Sequence, residues 1–251
     1  MPGELFPQII GKKDIGDWIF PSSNAEGIPD LLPSLQPRGL ELPVNRWGAI
    51  ARKARVEGST YHFYTDDYRF NSLWNDPSPI INSGCRAIAE PNFSTNGDMP
   101  LVIAKSYIYA KRWISRWAQS YGIEIWVDLA VNDNLYDIAL LGVPKGWRAY
   151  STFIYTRDYS FKELEDQFAI ACDHAGTDEI LFWCYGGEHD TQAKCQARGW
   201  LWTPAHQQAY LRNIGGTKQR QPKMPKSVSN GRLGKKMIIE QPKVANLLDW
   251  C

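Results

Sequence analysis

Apolar positions along residues 85–205 fall into two alternating patterns: short continuous runs, and longer stretches in which they recur every three to four residues. Residues 59–64 are β-branched and aromatic and predict a strand; 86–91 predict a second, leading into a polar loop. Asp98 and Pro100 then supply an acidic cap and an early proline for a helix over 100–121, which Gly122 closes. Residues 123–131 are nearly all apolar, as in a strand buried on both faces. A short helical piece over 134–141 and a strand over 149–156 follow. Ser160 and Glu163 form a capping box, after which Phe161, Leu164, Phe168, Ala171 and Ala175 keep helical spacing up to Gly176. Residues 180–185 predict another buried strand, 191–197 a helix and 200–202 a last strand.

Strand then helix, repeated with continuously apolar strands, predicts an α/β fold with a mostly parallel sheet. A partial or complete β/α barrel and an open doubly wound sheet both satisfy the pattern. Residues 1–45 are rich in Pro and Gly without sustained period and are expected to wrap over an α/β domain spanning 46–216.

Composition narrows the class. The chain has 251 residues, 43% hydrophobic and 22% charged, which excludes a wholly disordered protein. Its longest apolar runs, such as 180–185, fall far short of the roughly 20 residues that cross a bilayer. The first residues lack a basic region followed by an apolar core, so no secretory signal and a cytoplasmic address are expected. Five cysteines, odd in number and never in a C-x-x-C pair, predict reduced thiols and neither a disulfide framework nor a zinc ribbon.

The net charge of +1 hides an asymmetry. Residues 218–243 carry Lys218, Arg220, Lys223, Lys226, Arg232, Lys235, Lys236 and Lys243 against Glu240, a local charge of +7. With Asp249 counted, residues 1–217 are left at −5. The prolines, glycines and serines of 217–251 predict an extended or disordered tail, either a solubilising appendage or an arm for a polyanion such as nucleic acid. The apolar end of that tail, 244–251, is a candidate docking peptide for a host protein.

The blocks Cys85-Arg86-Ala87-Ile88-Ala89-Glu90-Pro91-Asn92-Phe93-Ser94, Asp98-Met99-Pro100, Gly122-Ile123-Glu124-Ile125-Trp126-Val127, Gly142-Val143-Pro144 and Tyr185-Gly186 together resemble an uncharacterised family of bacterial and phage-encoded proteins, known as a domain of unknown function. The resemblance covers about residues 45–205. It implies a link to phages or mobile elements and brings no established activity or catalytic residues. Similar members often have Asp where this chain has Asn92, which puts a metal-binding carboxylate at that position in doubt.

In parallel α/β folds ligands meet the loops after the carboxyl ends of the strands. Those positions are Glu90, Asn92 and Ser94; Asp128, Asn132 and Asp133; Thr156 and Asp158; and Glu188, His189 and Asp190. Asp128, Glu90 and Glu188 are the candidate ligands or bases for Mg²⁺ or Mn²⁺, with His189 as a proton carrier. Asp128 interrupts an apolar strand, and a buried carboxylate needs a partner, expected to be Arg86 or another cation. The glycines of Tyr185-Gly186-Gly187-Glu188 allow close backbone approach. On the 100–121 helix, Lys105, Lys111, Arg112 and Arg116 alternate with Tyr107, Tyr109, Trp113, Trp117 and Tyr121. That mixture serves single-stranded nucleic acid or, equally, packs its rings in a core with the cations in solvent. No P-loop, G-x-G-x-x-G or G-x-S-x-G occurs.

The leading expectation is a phage or mobile-element protein associated with nucleic acid, with metal-assisted phosphodiester chemistry if it is an enzyme. A non-catalytic adaptor for a host protein and a small-molecule enzyme of the β/α barrel kind are the alternatives.

Overall fold

A computed structural model describes residues 19–48, 56–154, 161–187 and 189–205, without the side chain of His189. Seven short strands, β1 (Val44–Arg46), β2 (Thr60–His62), β3 (Ala87–Ala89), β4 (Glu124–Asp128), β5 (Ala149–Ile154), β6 (Leu181–Gly186) and β7 (Leu201–Thr203), pair in chain order, every pair parallel. The helices between them are α1 (Ser78–Asn82), α2 (Leu101–Gln119), α3 (Tyr136–Ala139), α4 (Phe161–Ala175) and α5 (His189–Ala197). A doubly wound sheet requires a reversal of strand order, and none occurs here. Crossovers of one hand between successive neighbours place the helices on one face and leave the other to curl on itself.

The side chains show that curl. Tyr61, Ile88, Ile125, Val127, Tyr150, Phe182 and Cys184 face the helices, packing with Trp113 and Ile114 of α2, Leu164 and Ala171 of α4 and Cys195 of α5. The alternate residues Val44, Ala87, Ala89, Trp126, Ala149, Trp183 and Tyr185 form a second core with Tyr64. Within it, rings on β2 meet rings on β6: the His62 and Tyr185 centroids lie 3.9 Å apart, and His62 is edge-on to Trp183 at 6.3 Å. Strands four places apart in the ladder touch only if the sheet wraps most of the way round, so the fold is a nearly closed barrel. Ala87, Ala89 and Ala149 supply the small positions against which Trp126 and Trp183 pack, as a narrow interior filled to crystal-like density requires.

Two local expectations change. Strand β1 lies within the segment expected only to wrap, because three residues are too few to show a period. Upstream of it, Ile28 and Leu31 are buried, Leu31 N donates to the Gly142 carbonyl (2.8 Å), and the Gln119 side chain bonds both the N–H and the C=O of Leu32. Asp98 does not cap α2. The cap position is Pro100, without a side-chain cap bond, and Asp98 lies inside the preceding turn, which Met99 N closes to Asn96 O. Among the described residues no helix is long and apolar enough to cross a membrane. The tail, residues 217–251, lies outside the described residues.

Candidate functional site

The carboxyl ends of β2 to β5 converge on Asp128, the last residue of β4, whose side chain is 0% exposed. Oδ1 accepts from the Ala130 amide (3.0 Å) and lies 3.2 Å from the Tyr64 hydroxyl beyond β2. Oδ2 accepts from Asn92 Nδ2 (2.9 Å), in the loop after β3, and from Lys111 Nζ (3.2 Å) on α2. Lys111 also donates to the Asp128 carbonyl oxygen at 3.0 Å, and its side chain is only 3% exposed. Tyr64 Oη is 3.0 Å from Ser151 Oγ on β5, which lies beside Asp128 in the ladder. A phenol has one proton: when Tyr64 donates it to Asp128, its oxygen accepts from Ser151. Burial, with the Asp128 charge second, pushes the Tyr64 phenol well above its ordinary value and keeps it a donor.

Behind this network Arg112 meets Glu90, both fully buried. Arg112 NH1 donates to Glu90 Oε1, Nε to the Leu141 carbonyl (3.0 Å) and NH2 to the Ala139 carbonyl (2.7 Å). Glu90 Oε2 accepts the Asp128 amide at 3.1 Å, so the two carboxylates are neighbours in one hydrogen-bond system. Each of their oxygens already has a donor, and Lys111 occupies the place a second cation would take beside Asp128. A divalent ion would have to displace a buried ammonium or guanidinium. Among the described residues no group of three His, Cys, Asp or Glu side chains could hold a metal ion.

The inner wall next to the network is aromatic. Tyr64 stacks on Phe153 (5.4 Å), Tyr185 (5.6 Å) and His62 (5.4 Å). His62 Nδ1 accepts the Tyr64 amide at 3.2 Å, and burial, helped by Arg46, lowers the imidazole to about 3, so the ring is neutral at physiological pH.

Other sequence candidates fall elsewhere. Ser94 donates to Asp67 through both N and Oγ (3.1 and 2.9 Å), Asn132 bonds the Thr95 carbonyl at 2.8 Å, and Asp133 accepts the next amide at 2.8 Å. Asp190 pairs one helical turn along with Lys194. Glu188, Thr156, Asp158 and the His189 side chain lie outside the described residues. A Cβ on Gly186 would come within 2.9 Å of the Ile154 carbonyl oxygen, and one on Gly187 within 2.7 Å of Thr191 Oγ1; both have positive φ. The double glycine therefore serves close packing of β6 against β5 and α5.

Two expectations are corrected. Arg86 is not the partner of Asp128: it pairs with Glu41 and Glu124, and the partner is Lys111. Lys111 and Arg112 are not on a nucleic-acid face, because both are buried and committed to carboxylates. Lys105 pairs with Glu26 at 2.8 Å, and Arg116 lies over the Phe20 ring, its guanidinium lowered by burial. Trp113 and Trp117 are core residues. Tyr64, Ser151 and the role of Lys111 escaped the sequence reading. Lys111 left a signal, since helical spacing puts it on the same face as Ala104, Ile108, Ser115 and Ala118, all buried.

The family described as a domain of unknown function (DUF4417) matches residues 20–162, more than half of the chain, and the chain belongs to it. That span includes Tyr64, Glu90, Asn92, Lys111, Arg112, Asp128 and Ser151. Over 134 residues, 51% of this chain and 48% of the relative, it is 34% identical to the Gene 1 protein of Mycobacterium phage D29. The Gene 1 protein of Mycobacterium phage L5 is 31% identical over 133 residues, 51% of this chain and 56% of the relative. The chain thus spans about half the length of the curated relatives it matches. No solved structure matches it.

Proposed function

We infer that this member of a phage-associated family binds a small polar molecule at the carboxyl ends of its barrel strands and carries out proton transfer on it. One observation carries the reading: side chains from the segments after β2 and β3 and from α2 meet a single fully buried carboxylate, with Ser151 of β5 one hydrogen bond further on, at the end of the barrel where loops present ligands. Charge taken out of water is costly unless it is paired, and Lys111 supplies that pairing for Asp128. Asn92 gives both its amide hydrogens to Asp128 and Ala130, leaving Oδ1 as an acceptor in a half-buried residue. A ligand hydroxyl or amine held at Asn92 and Ser151 would pass a proton through Ser151 and the Tyr64 phenol to Asp128, leaving the negative charge on the ligand, and return of the proton would restore the Asp128–Lys111 pair. This reading uses Lys111, rather than Mg²⁺ or Mn²⁺, as the cation beside Asp128.

Ligand-observed NMR of the protein in a bacterial metabolite extract tests it. Small polar molecules should bind the wild type, lose binding in Asn92→Ala/Ser151→Ala, and bind without turnover in Tyr64→Phe, which keeps the ring and removes the relay. Binding that persists in the double variant refutes the site.

A second reading rests on the +7 charge of residues 218–243: the tail contacts nucleic acid, bringing the barrel to a polyanion. Its test is the salt dependence of oligonucleotide binding.

A further inference from the structure

Arg46 ends β1 and takes no part in the network around Asp128. Its partner in the ladder is His62, and residues in register on neighbouring strands point to the same side of the sheet. His62 points inward: its ring meets that of Tyr185 at 3.9 Å and that of Tyr64 at 5.4 Å. Val44, two residues before Arg46, belongs to the same inner core, so the pleat of β1 places Arg46 inward as well. The arginine therefore stands on the inner face at the carboxyl end of the barrel, beside the aromatic wall on which Tyr64 stacks, and it is exposed.

The acids near this end of the barrel are already engaged. Asp128 is matched by Lys111 and Glu90 by Arg112, inside the protein. In the loop after β2, Asp66 pairs with Arg69, and Asp67 accepts two hydrogen bonds from Ser94. Arg46 has no carboxylate partner among the described residues. Its charge reaches the rings beside it: burial lowers the His62 imidazole and Arg46 adds to that, while burial raises the Tyr185 phenol and Arg46 opposes it. A cation set against apolar walls attracts anions more strongly than one in open solvent, and a guanidinium offers the forked donors that a carboxylate or phosphate accepts.

We propose that Arg46 makes the barrel mouth selective for a small molecule carrying an oxyanion, a carboxylate or phosphate, which docks on its guanidinium while a hydroxyl or amine of the same molecule reaches Asn92 and Ser151. The proposal rests on the ligand site inferred above and names the class of molecule that enters it. Arg46 is a binding residue in this scheme, and the relay through Ser151 and Tyr64 to Asp128 is unchanged.

The test separates the oxyanion from the site itself. A bacterial metabolite extract is split on an anion-exchange resin, and the retained and unretained fractions are each screened by ligand-observed NMR against the full-length wild type, Arg46→Gln, Arg46→Lys and Asn92→Ala/Ser151→Ala. Binders should come from the retained fraction and should bind Arg46→Gln about 10- to 100-fold more weakly, the worth of a hydrogen bond to a charged group. Arg46→Lys should regain part of that affinity, and added salt should weaken binding to the wild type. If Arg46→Gln unfolds, as judged by circular dichroism, the lysine variant and the salt series decide. Alkaline phosphatase treatment of the retained fraction names the group: binding lost marks a phosphate monoester, binding kept marks a carboxylate or phosphodiester, and either supports the proposal. Binders confined to the unretained fraction and lost in Asn92→Ala/Ser151→Ala overturn the oxyanion and leave the site standing. Retained binders whose affinity is the same in Arg46→Gln overturn it too, and no binder in either fraction overturns both readings.

Discussion

Arg112→Met removes a guanidinium that no water can replace. Three groups lose their donor at once: Glu90 Oε1 and the carbonyls of Leu141 and Ala139, which belong to β3's end, the turn after α3 and α3 itself. Breaking a buried ion pair by deleting one partner costs about 3–5 kcal/mol, since the other charge stays behind unpaired. Each of the two stranded carbonyls adds roughly 1 kcal/mol, so a loss of about 5–7 kcal/mol is expected. That is a large share of the ~5–15 kcal/mol that holds a domain folded. Glu90→Gln in the same chain removes the orphaned charge while keeping an acceptor for the Asp128 amide, and should return about 2–3 kcal/mol of the loss. Urea denaturation followed by tryptophan fluorescence, with both single variants and the double, measures the cycle. If Arg112→Met costs less than about 1 kcal/mol, or the double variant is no more stable than the single, Glu90 and Arg112 are not the buried pair described here.

Acid should weaken the fold through its buried histidines. Burial lowers His62 to about 3 and His174 to about 4, so the folded protein keeps both neutral while the unfolded chain takes protons near 6.5; stability is complete above about 6.5 and falls as pH drops toward 4. For His62 alone the loss at pH 5 is about 2 kcal/mol, and urea midpoints from pH 8 to 4.5 should lose that part of their slope in His62→Gln. Gly187→Ala should lower the melting temperature by several degrees, because its Cβ meets Thr191 at positive φ; a companion Thr191→Ala should recover only the steric part. Replacing the eight cations of 218–243 by glutamine should abolish salt-dependent oligonucleotide binding in fluorescence anisotropy. With roughly four phosphates engaged the wild-type slope of log K against log salt is about −3.6 on duplex DNA, and an unchanged slope would move the contact to the barrel.

The alternation of strand and helix from β3 to β7 was legible because each strand is a compact apolar run and the two long helices carry full periods. Barrel closure was not, since strand order depends on the path of each crossover, and the alternation reads the same whichever side a crossover takes. The pairing of Ala87, Ala89 and Ala149 with Trp126 and Trp183 becomes meaningful only in register. Asp128 was found because a carboxylate in an apolar run demands a partner, and Glu90 because it stands at the carboxyl end of a strand. That partner is not Arg86 but another cation, Lys111, which arrives from the helix above and which no spacing along the strands points to. Tyr64 and Ser151 gave no signal, as a hydroxyl at a strand end is common.

Among the described residues β1 and β7 do not pair with each other, so the ladder ends there in two margins. An unpaired strand margin is a template for adding another chain, and the usual remedies are closure, a covering segment or charge. Here each margin is only three residues long, Val44–Arg46 and Leu201–Thr203, and the first ends on an exposed arginine. Three residues offer too few backbone groups to nucleate an intermolecular sheet, and a guanidinium must be desolvated before a second chain can dock beside it. Brevity thus does for self-association what full closure does in a complete barrel. Lengthening β1 with two β-branched residues and replacing Arg46 by valine would turn this margin into a polymerising edge.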